Sequence, residues 1–189
     1  MKKKKKKKVK RNNWIYKVFT ITFILSMLFG ALSNAVTNNL NIFIAVFILI
    51  LIILTGILFD IIGMAVASTK MGPFTAKAAR KHKGAKEAIK LIKDSDRVTN
   101  VCNDVVGDVC GIISGAMGAV ISIRLSNIFN FDVMLISLII GSIIASFTVL
   151  GKAMGKTIAM DNNINIVYQV GTIIHIIKGK KNKKHRVKK

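Results

Sequence analysis

The chain has 189 residues, of which 52% are hydrophobic, and its 30 Lys and Arg against 8 Asp and Glu give a net charge of +22. The mean hydropathy is positive and long apolar runs recur, so the composition excludes a soluble domain and predicts one membrane domain. Nucleic acid is not an expected partner, because nucleic-acid-binding domains do not carry four apolar runs of bilayer length, and anionic lipid head groups are the expected counter-charge.

The apolar runs predict an all-α membrane protein with four transmembrane helices and amphipathic helices on the cytoplasmic side. A lysine-rich tail over 1–13 precedes the transmembrane domain over 14–178, and a basic tail over 179–189 follows it. We expect spans at about 17–36, 42–68, 98–122 and 133–154, and interfacial helices at about 73–93 and 161–178.

Basic residues cluster outside the spans and set the expected topology. Ten of the thirty Lys and Arg lie in 1–17, nine in 70–97 and eight in 178–189. Because Lys and Arg accumulate on the cytoplasmic side of membrane proteins, both termini and the middle basic segment are expected there. The sequence therefore predicts a multi-pass protein of the inner or plasma membrane.

The middle basic segment is too polar to cross a bilayer. Pro73 suits the first turn of a helix, and the residues after it, FTAKAARKHKGAKEAIKLIKD, place Ala, Ile and Leu on one side and Lys on the other. We expect this helix to lie on the cytoplasmic surface of the membrane.

The third span, within RVTNVCNDVVGDVCGIISGAMGAVIS, carries carboxylates on a face of small residues. At 100° per residue, Asp104 and Asp108 share this face with glycines that let a neighbouring helix come close. In the second span, Asp60 lies on a similar small-residue face. The face of the third span comprises Asp104, Gly107, Asp108, Gly111, Gly115, Gly118 and Ser122.

These carboxylates are expected about 10–16 Å from the cytoplasmic ends of their spans, given a rise of about 1.5 Å per residue. A charge in a membrane helix costs about 2.5–3.5 kcal/mol on insertion scales unless something compensates it. Hard cations such as Mg²⁺ prefer carboxylate and amide oxygens together with water. No resident cofactor is expected, and the candidate ligands of a bound or transported divalent cation are Asp60, Asn103, Asp104 and Asp108.

Other functions fit the same residues. Lys152 can neutralise Asp104 or Asp108, or a carboxyl can be protonated in the membrane interior, and the chain is then a non-transporting scaffold or regulator. A pore-forming protein is a third alternative, favoured by the small size and basic tail but disfavoured by the buried acids. An enzyme is not expected, because the sequence has no Gly-rich phosphate loop, Ser-His-Asp set or metalloprotease motif.

Four stretches follow one another between about residues 55 and 178: FDIIGMAVASTK, KHKGAKEAIKLIKDSDR, NVCNDVVGDVCGIISGA and GKAMGKTIAMDNN. Their order resembles the CNNM transmembrane domain of CorB/CorC-type magnesium and cobalt transporters. The resemblance implies a three-helix membrane core that binds and moves divalent cations, and a tendency to form homodimers. The family's cytoplasmic CBS pair has no counterpart in the sequence, so nucleotide-responsive gating is not expected unless a partner supplies it.

The resemblance assigns roles residue by residue. Asn103, Asp104 and Gly107 resemble the Asn-rich run that opens the family's second helix. The stretch that holds Asp60 and Ser68 resembles the family's Ser/Gly-rich stretch. By this resemblance, Asp60, Asn103 and Asp104 belong to a divalent cation site, and Gly107 and Ser68 belong to the motifs that surround it.

The family's G-E-x-x-P-K motif is matched at its two ends by Gly151 and Lys156. Lys152 stands where that motif has Glu, and Gly155 stands where it has Pro. A cation therefore replaces a ligand carboxylate, a departure from the family's ion site that the additional aspartates of the chain can offset.

Overall fold

The computed structural model describes residues 16, 19–24, 26–28, 30–31 and 41–186, with side chains as far as Lys178. Every element in the described residues is a helix and none is a strand, which confirms the all-α prediction. The lysine-rich tail over 1–13 lies outside them. The elements are α1 (Phe19–Leu28, in its described residues), α2 (Ile42–Ser68), α3 (Gly72–Ala79), α4 (Ala85–Lys93), α5 (Ser95–Thr99), a π-helix (Asn100–Gly107), α6 (Asp108–Phe129), α7 (Val133–Asp161) and α8 (Asn163–Arg186).

Three helical stretches are long and apolar enough to cross a membrane. They are α2, α7 and the continuous stretch Ser95–Phe129, which joins α5, the π-helix and α6. α1 is a shorter apolar helix, and the predicted first span to which it belongs lies partly outside the described residues. Three of the four predicted spans therefore contain a helix of the length and composition that a membrane requires.

Two of these stretches extend beyond the predicted ends of their spans. α7 continues to Asp161 instead of ending near residue 154, and the third stretch runs from Ser95 to Phe129. The added turns of α7 are packed, because Gly155 and Ala159 are buried. Tertiary packing of small residues stabilises helical turns that hydropathy alone does not predict.

The chain divides into two units, Met1–Thr55 with Asp108–Thr148 and Gly56–Gly107 with Val149–Lys189. In the first unit, α2 and α6 bury apolar side chains against each other, and partly buried isoleucines of α7 pack against them. α6 contributes every fourth residue, the spacing that keeps side chains close on a helix surface. The core consists of Ala45, Leu49, Val109, Ile113, Met117 and Ile121.

The second unit has its own core, which joins α2 and α7 to α3, α4 and α8. Phe74 of α3 is fully buried in it. Lys77 Nζ lies 4.2 Å from the centroid of the Tyr168 ring, a cation–π contact between α3 and α8. The core consists of Ala65, Val66, Phe74, Ala88, Ala159 and Val167.

The interfacial helix predicted at 73–93 is two helices, because the backbone turns between α3 and α4. Gly84 has a φ of 83°, in the left-handed region that glycine adopts without strain. A Cβ at Gly84 would stand 2.6 Å from the backbone of Thr172 in α8. A Cβ at Gly171 would stand 2.6 Å from the Gly84 carbonyl oxygen. Glycines on both helices therefore let α4 and α8 pack backbone against backbone.

A pair of titratable side chains joins α4 to α8 next to this contact. His175 Nδ1 lies 3.1 Å from Glu87 Oε1. This hydrogen bond lowers the pKa of Glu87 from its usual value, while burial opposes the shift and the positive charge of Lys178 adds slightly to it. The carboxylate form of Glu87 therefore stabilises the packing of α4 on α8.

Candidate cation site

The polar residues of the third stretch lie in the π-helix, where backbone hydrogen bonds span five residues instead of four. The sequence NVCNDVVG therefore departs from the 100° per residue on which the predicted face was based. Cys102 and Gly107 are buried in this segment, and Asp104 is exposed. Short π-helical segments occur frequently at functional sites.

Asp60 of α2 forms an ion pair with Lys152 of α7. Lys152 Nζ lies 3.0 Å from Asp60 Oδ2, and both residues belong to the second unit. The carboxylate is the more enclosed partner, with 16% of its side chain exposed against 37% for the lysine. Because an unpaired charge in a membrane is costly, each partner neutralises the other.

Two glycines on either side of Lys152 bring α7 close to α2. A Cβ at Gly151 would clash with the Ile57 side chain, and one at Gly155 would stand 2.7 Å from Ile61 Cγ1. A spacing of four residues puts both glycines on the same helix face. The lysine reaches the carboxylate of α2 because the backbone of α7 lies against α2 at this level.

Gly107, the last residue of the π-helix, lies against the ion pair. A Cβ at this position would stand 3.1 Å from Asp60 Oδ1 and 3.6 Å from Lys152 Nζ. The lysine pairs with Oδ2, so the other carboxylate oxygen faces the backbone of the π-helix. Here the third stretch meets Asp60 with a glycine and not with a second carboxylate.

Asn103 of the π-helix contacts α2 at Gly63, about one turn after Asp60. A Cβ at Gly63 would overlap Asn103 Oδ1 and stand 3.0 Å from Asn103 Cγ, so the carboxamide takes the place of a side chain at position 63. Asn103 Oδ1 is buried, and no described residue donates a hydrogen bond to it. Thr99 Oγ1 donates a hydrogen bond of 3.1 Å to the Gly63 carbonyl oxygen. Two polar side chains of the third stretch thus contact one turn of α2.

The structure places two of the four candidate ligands at neighbouring turns of α2, one on that helix and one against it. Asp60 belongs to α2 itself, and Asn103 contacts α2 three residues further along. Asp104 and Asp108 are exposed, and Asp108 belongs to the first unit. The ion pair and the carboxamide therefore form the candidate site of the second unit.

The predicted small-residue face of the third span is open at Gly111 and Gly115 and buried at its end. Nothing lies within 4 Å of a Cβ added at Gly111 or Gly115, whereas one added at Gly118 would stand 2.5 Å from Ile144 Cδ1. Ser122 is also buried. The core positions of α6 recur every fourth residue, which exceeds the helical repeat of about 3.6, so the buried face rotates around the helix.

Ser68 lies away from the ion pair. Its Oγ donates a hydrogen bond of 3.2 Å to the Ala65 carbonyl oxygen of its own helix. Eight residues, or about 12 Å of helix axis, separate it from Asp60. Thr99 is not among the residues predicted from the sequence, although it lies four residues before Asn103, a spacing that places two polar side chains on neighbouring turns.

The candidate site holds few acidic or sulfur-containing side chains. Within the described residues, no three His, Cys, Asp or Glu side chains are grouped so that they could hold a metal ion. Asp60 and Asn103 supply a carboxylate and an amide oxygen, and any further ligands of a cation at this site would be water or backbone oxygens. Comparison of the chain with protein-family models, with curated proteins and with solved structures finds no match.

Proposed function

We propose that this chain is a polytopic membrane protein that binds a divalent cation, Mg²⁺ or Co²⁺, at Asp60 and Asn103 and moves it across the membrane. One observation carries the proposal: a buried amide oxygen without a hydrogen-bond donor, from Asn103 of the π-helix, lies against α2 at Gly63, one turn after the Asp60 carboxylate. Ionisable residues within membrane helices are rare and commonly mark ion pathways. The resemblance of the sequence to CNNM transporters supports the same function.

Mg²⁺ suits a site with few protein ligands. It dehydrates reluctantly and usually keeps several waters while one or two carboxylates hold it. Asp60 would supply the charged ligand and Asn103 Oδ1 a neutral one. Glycine positions against both side chains let the third stretch approach α2 closely enough for them to act together.

The proposed topology has four spans, the first of which includes α1, and both termini on the cytoplasmic side of the inner or plasma membrane. The distribution of Lys and Arg supports it, and it favours contact of α3, α4 and α8 with anionic lipid. Two single-cysteine variants, Lys83→Cys and Asn127→Cys, each made in a chain whose native cysteines are replaced, test this topology in whole cells. An impermeant maleimide is expected to label Asn127→Cys and to spare Lys83→Cys until the membrane is opened; the reverse pattern contradicts the topology.

Flux into liposomes that contain a Mg²⁺-sensitive dye tests the transport function. The wild type is expected to carry Mg²⁺, and Asp60→Asn to lose the flux because the charged ligand is gone. Asp132→Asn is the matched control: Asp132 Oδ1 accepts a hydrogen bond of 2.8 Å from Met134 N at the start of α7, and Asn serves equally well as a helix cap. Wild-type flux in Asp60→Asn rejects the site, and no flux in the wild type rejects transport.

A non-transporting scaffold or regulator is the second candidate function, and the Lys152–Asp60 ion pair favours it. If the pair is permanent, removing one partner leaves a partly buried charge without its counter-ion and destabilises the protein, whereas removing both does not. The scaffold therefore predicts that Lys152→Met unfolds more easily than the double variant with Asp60→Asn, and that neither the wild type nor the variants bind Mg²⁺. Calorimetric titration of the purified protein with Mg²⁺ separates the two functions.

A further inference from the structure

We propose that Lys152 is a tethered counter-ion, whose ammonium occupies the cation position at Asp60 and leaves it when a mobile cation binds. The inference rests on the proposed function, because it specifies how that same site is kept closed. In this role Lys152 controls access to the site. A lysine in a permanent ion pair would never leave the carboxylate, and a cation site without the lysine would have no such control.

The two partners of the ion pair differ in how firmly they are held. Asp60 is the more enclosed of the two, and its second oxygen lies against Gly107. The Lys152 side chain is more than a third exposed and reaches the pair through a flexible four-carbon stem. Separation of the pair therefore moves the lysine and leaves the carboxylate in place.

Helix packing fixes the point from which the ammonium moves. Gly151 and Gly155 lie against Ile57 and Ile61, one glycine before Lys152 and the other after it. The backbone at Lys152 is therefore held beside α2. Only the side-chain torsions of the lysine need to change when its ammonium leaves the carboxylate, as they do in lysines that extend along apolar surfaces to water.

Electrostatics requires one cation at Asp60 and disfavours two. A carboxylate without a counter-charge is costly in a membrane, so the lysine neutralises Asp60 while no ion is bound. A divalent cation on the same carboxylate would repel the ammonium over a few ångströms. Ion binding and ion pairing therefore exclude each other.

The amide oxygen of Asn103 distinguishes the two cations. It accepts no hydrogen bond from Lys152 or from any other described residue. The lysine thus satisfies the carboxylate and leaves the neutral ligand unused, whereas a mobile ion with waters in its coordination shell can use both oxygens.

A charge-rescue experiment on the full chain tests this role. Lys152→Cys is made in a chain that carries Cys102→Ala and Cys110→Ala, and Mg²⁺ binding is measured by calorimetry before and after modification of the cysteine. 2-Aminoethyl methanethiosulfonate adds an ammonium through a disulfide, and methyl methanethiosulfonate adds an uncharged group by the same reaction. The cysteine-free chain with Lys152 intact is the control for both reagents.

Lys152→Cys is expected to bind Mg²⁺ about fivefold more tightly than the control chain, since a partly exposed ion pair no longer competes. The aminoethyl adduct is expected to return the affinity toward that of the control, and the methyl adduct to leave it high. Equal affinity in all states, or a loss of affinity that the aminoethyl adduct restores, overturns the role of Lys152. If neither the wild type nor any variant binds Mg²⁺, the proposed function itself is rejected.

Lys152→Arg provides a second test, in which the protein keeps a positive charge at position 152 and its folding is not put at risk. The guanidinium keeps the charge and can hold a carboxylate through two parallel hydrogen bonds. A stronger tethered partner is expected to weaken Mg²⁺ binding several-fold relative to the wild type. Unchanged or tighter binding overturns the role of Lys152 and leaves the cation site at Asp60 and Asn103 standing.

Discussion

Gly63 of α2 and Asn103 of the π-helix occupy one common space, because the Asn103 carboxamide lies where a side chain at position 63 would be. The carbonyl oxygen of the same glycine accepts a hydrogen bond of 3.1 Å from Thr99 Oγ1. Two polar side chains of the third stretch therefore contact the same glycine of α2. Asp60 lies one turn before it on α2, so this contact fixes which part of the π-helix faces the carboxylate.

Gly63→Ala is expected to displace the Asn103 carboxamide and to lower the free energy of unfolding by about 1–3 kcal/mol, the usual cost of overpacking. Mg²⁺ binding is expected to weaken in the same variant, because the amide oxygen moves. Thermal unfolding in detergent and calorimetric titration measure the two effects. Gly141→Ala is the control: nothing lies within 4 Å of a Cβ there, and Ala favours a helix over Gly by about 0.5–1 kcal/mol. Equal stability of the two variants would contradict the tight contact.

Gly171→Ala is expected to loosen α4 from α8. A Cβ at position 171 would stand 2.6 Å from the Gly84 carbonyl oxygen, a backbone atom that cannot rotate away, and 3.0 Å from Ala88 Cβ. Hydrogen exchange is expected to quicken most in α4 and less in α2, because the disturbed contact lies between α4 and α8, and α2 meets these helices only through their shared apolar core. Gly72→Ala, with nothing within 4 Å, is expected to exchange like the wild type. Wild-type exchange in Gly171→Ala would contradict the backbone contact.

Glu87 is expected to make the packing of α4 on α8 sensitive to acid. Its pKa is lowered in the folded protein, first by the hydrogen bond with His175. A lowered pKa contributes stability above the unfolded value, about 4.3 for Glu, and that contribution is lost as the pH falls through the folded value. The wild type is therefore expected to have a larger free energy of unfolding than Glu87→Gln above about pH 4.3. This difference, about 0.2–1 kcal/mol for a partly exposed pair, is expected to be lost as the pH falls below that value. Unfolding curves of both proteins at several pH values measure it, and parallel curves contradict it.

The long apolar helices follow from the apolar runs, whereas the contacts between them do not. The run over 42–68 and α2 have the same bounds, because a long apolar segment in a bilayer must satisfy its backbone as a helix. From the sequence, Asp104 or Asp108 is the expected partner of Lys152, whereas in the structure Lys152 pairs with Asp60. That choice depends on where α7 packs along α2.

Local backbone geometry was the second feature beyond the reach of sequence periodicity. A repeat of 3.6 residues was assumed throughout the third span, but Asn100–Gly107 is π-helical, so the face predicted from Asp104 onward does not stay aligned. Gly84 likewise interrupts a segment that reads as one amphipathic helix. Both departures lie at tertiary contacts that the sequence pattern does not reveal, with Gly63 for the π-helix and with Thr172 for the turn.

Asn103→Ala is expected to separate ion binding from stability. A buried acceptor without a donor costs about 1–3 kcal/mol, so removing Asn103 Oδ1 offsets the packing that is lost with the side chain, and the unfolding temperature is expected to stay near that of the wild type. Mg²⁺ affinity is expected to fall on the order of tenfold, because the neutral ligand beside Asp60 is gone.

Asn100→Ala, at an exposed position of the same π-helix, is the matched control and is expected to change neither quantity. Thermal unfolding and calorimetric titration with Mg²⁺ are compared for the two variants. Unchanged Mg²⁺ affinity in Asn103→Ala would remove Asn103 from the site. A large fall in its unfolding temperature would instead make the side chain a packing element, since a structural role predicts lost stability and a ligand role predicts lost affinity.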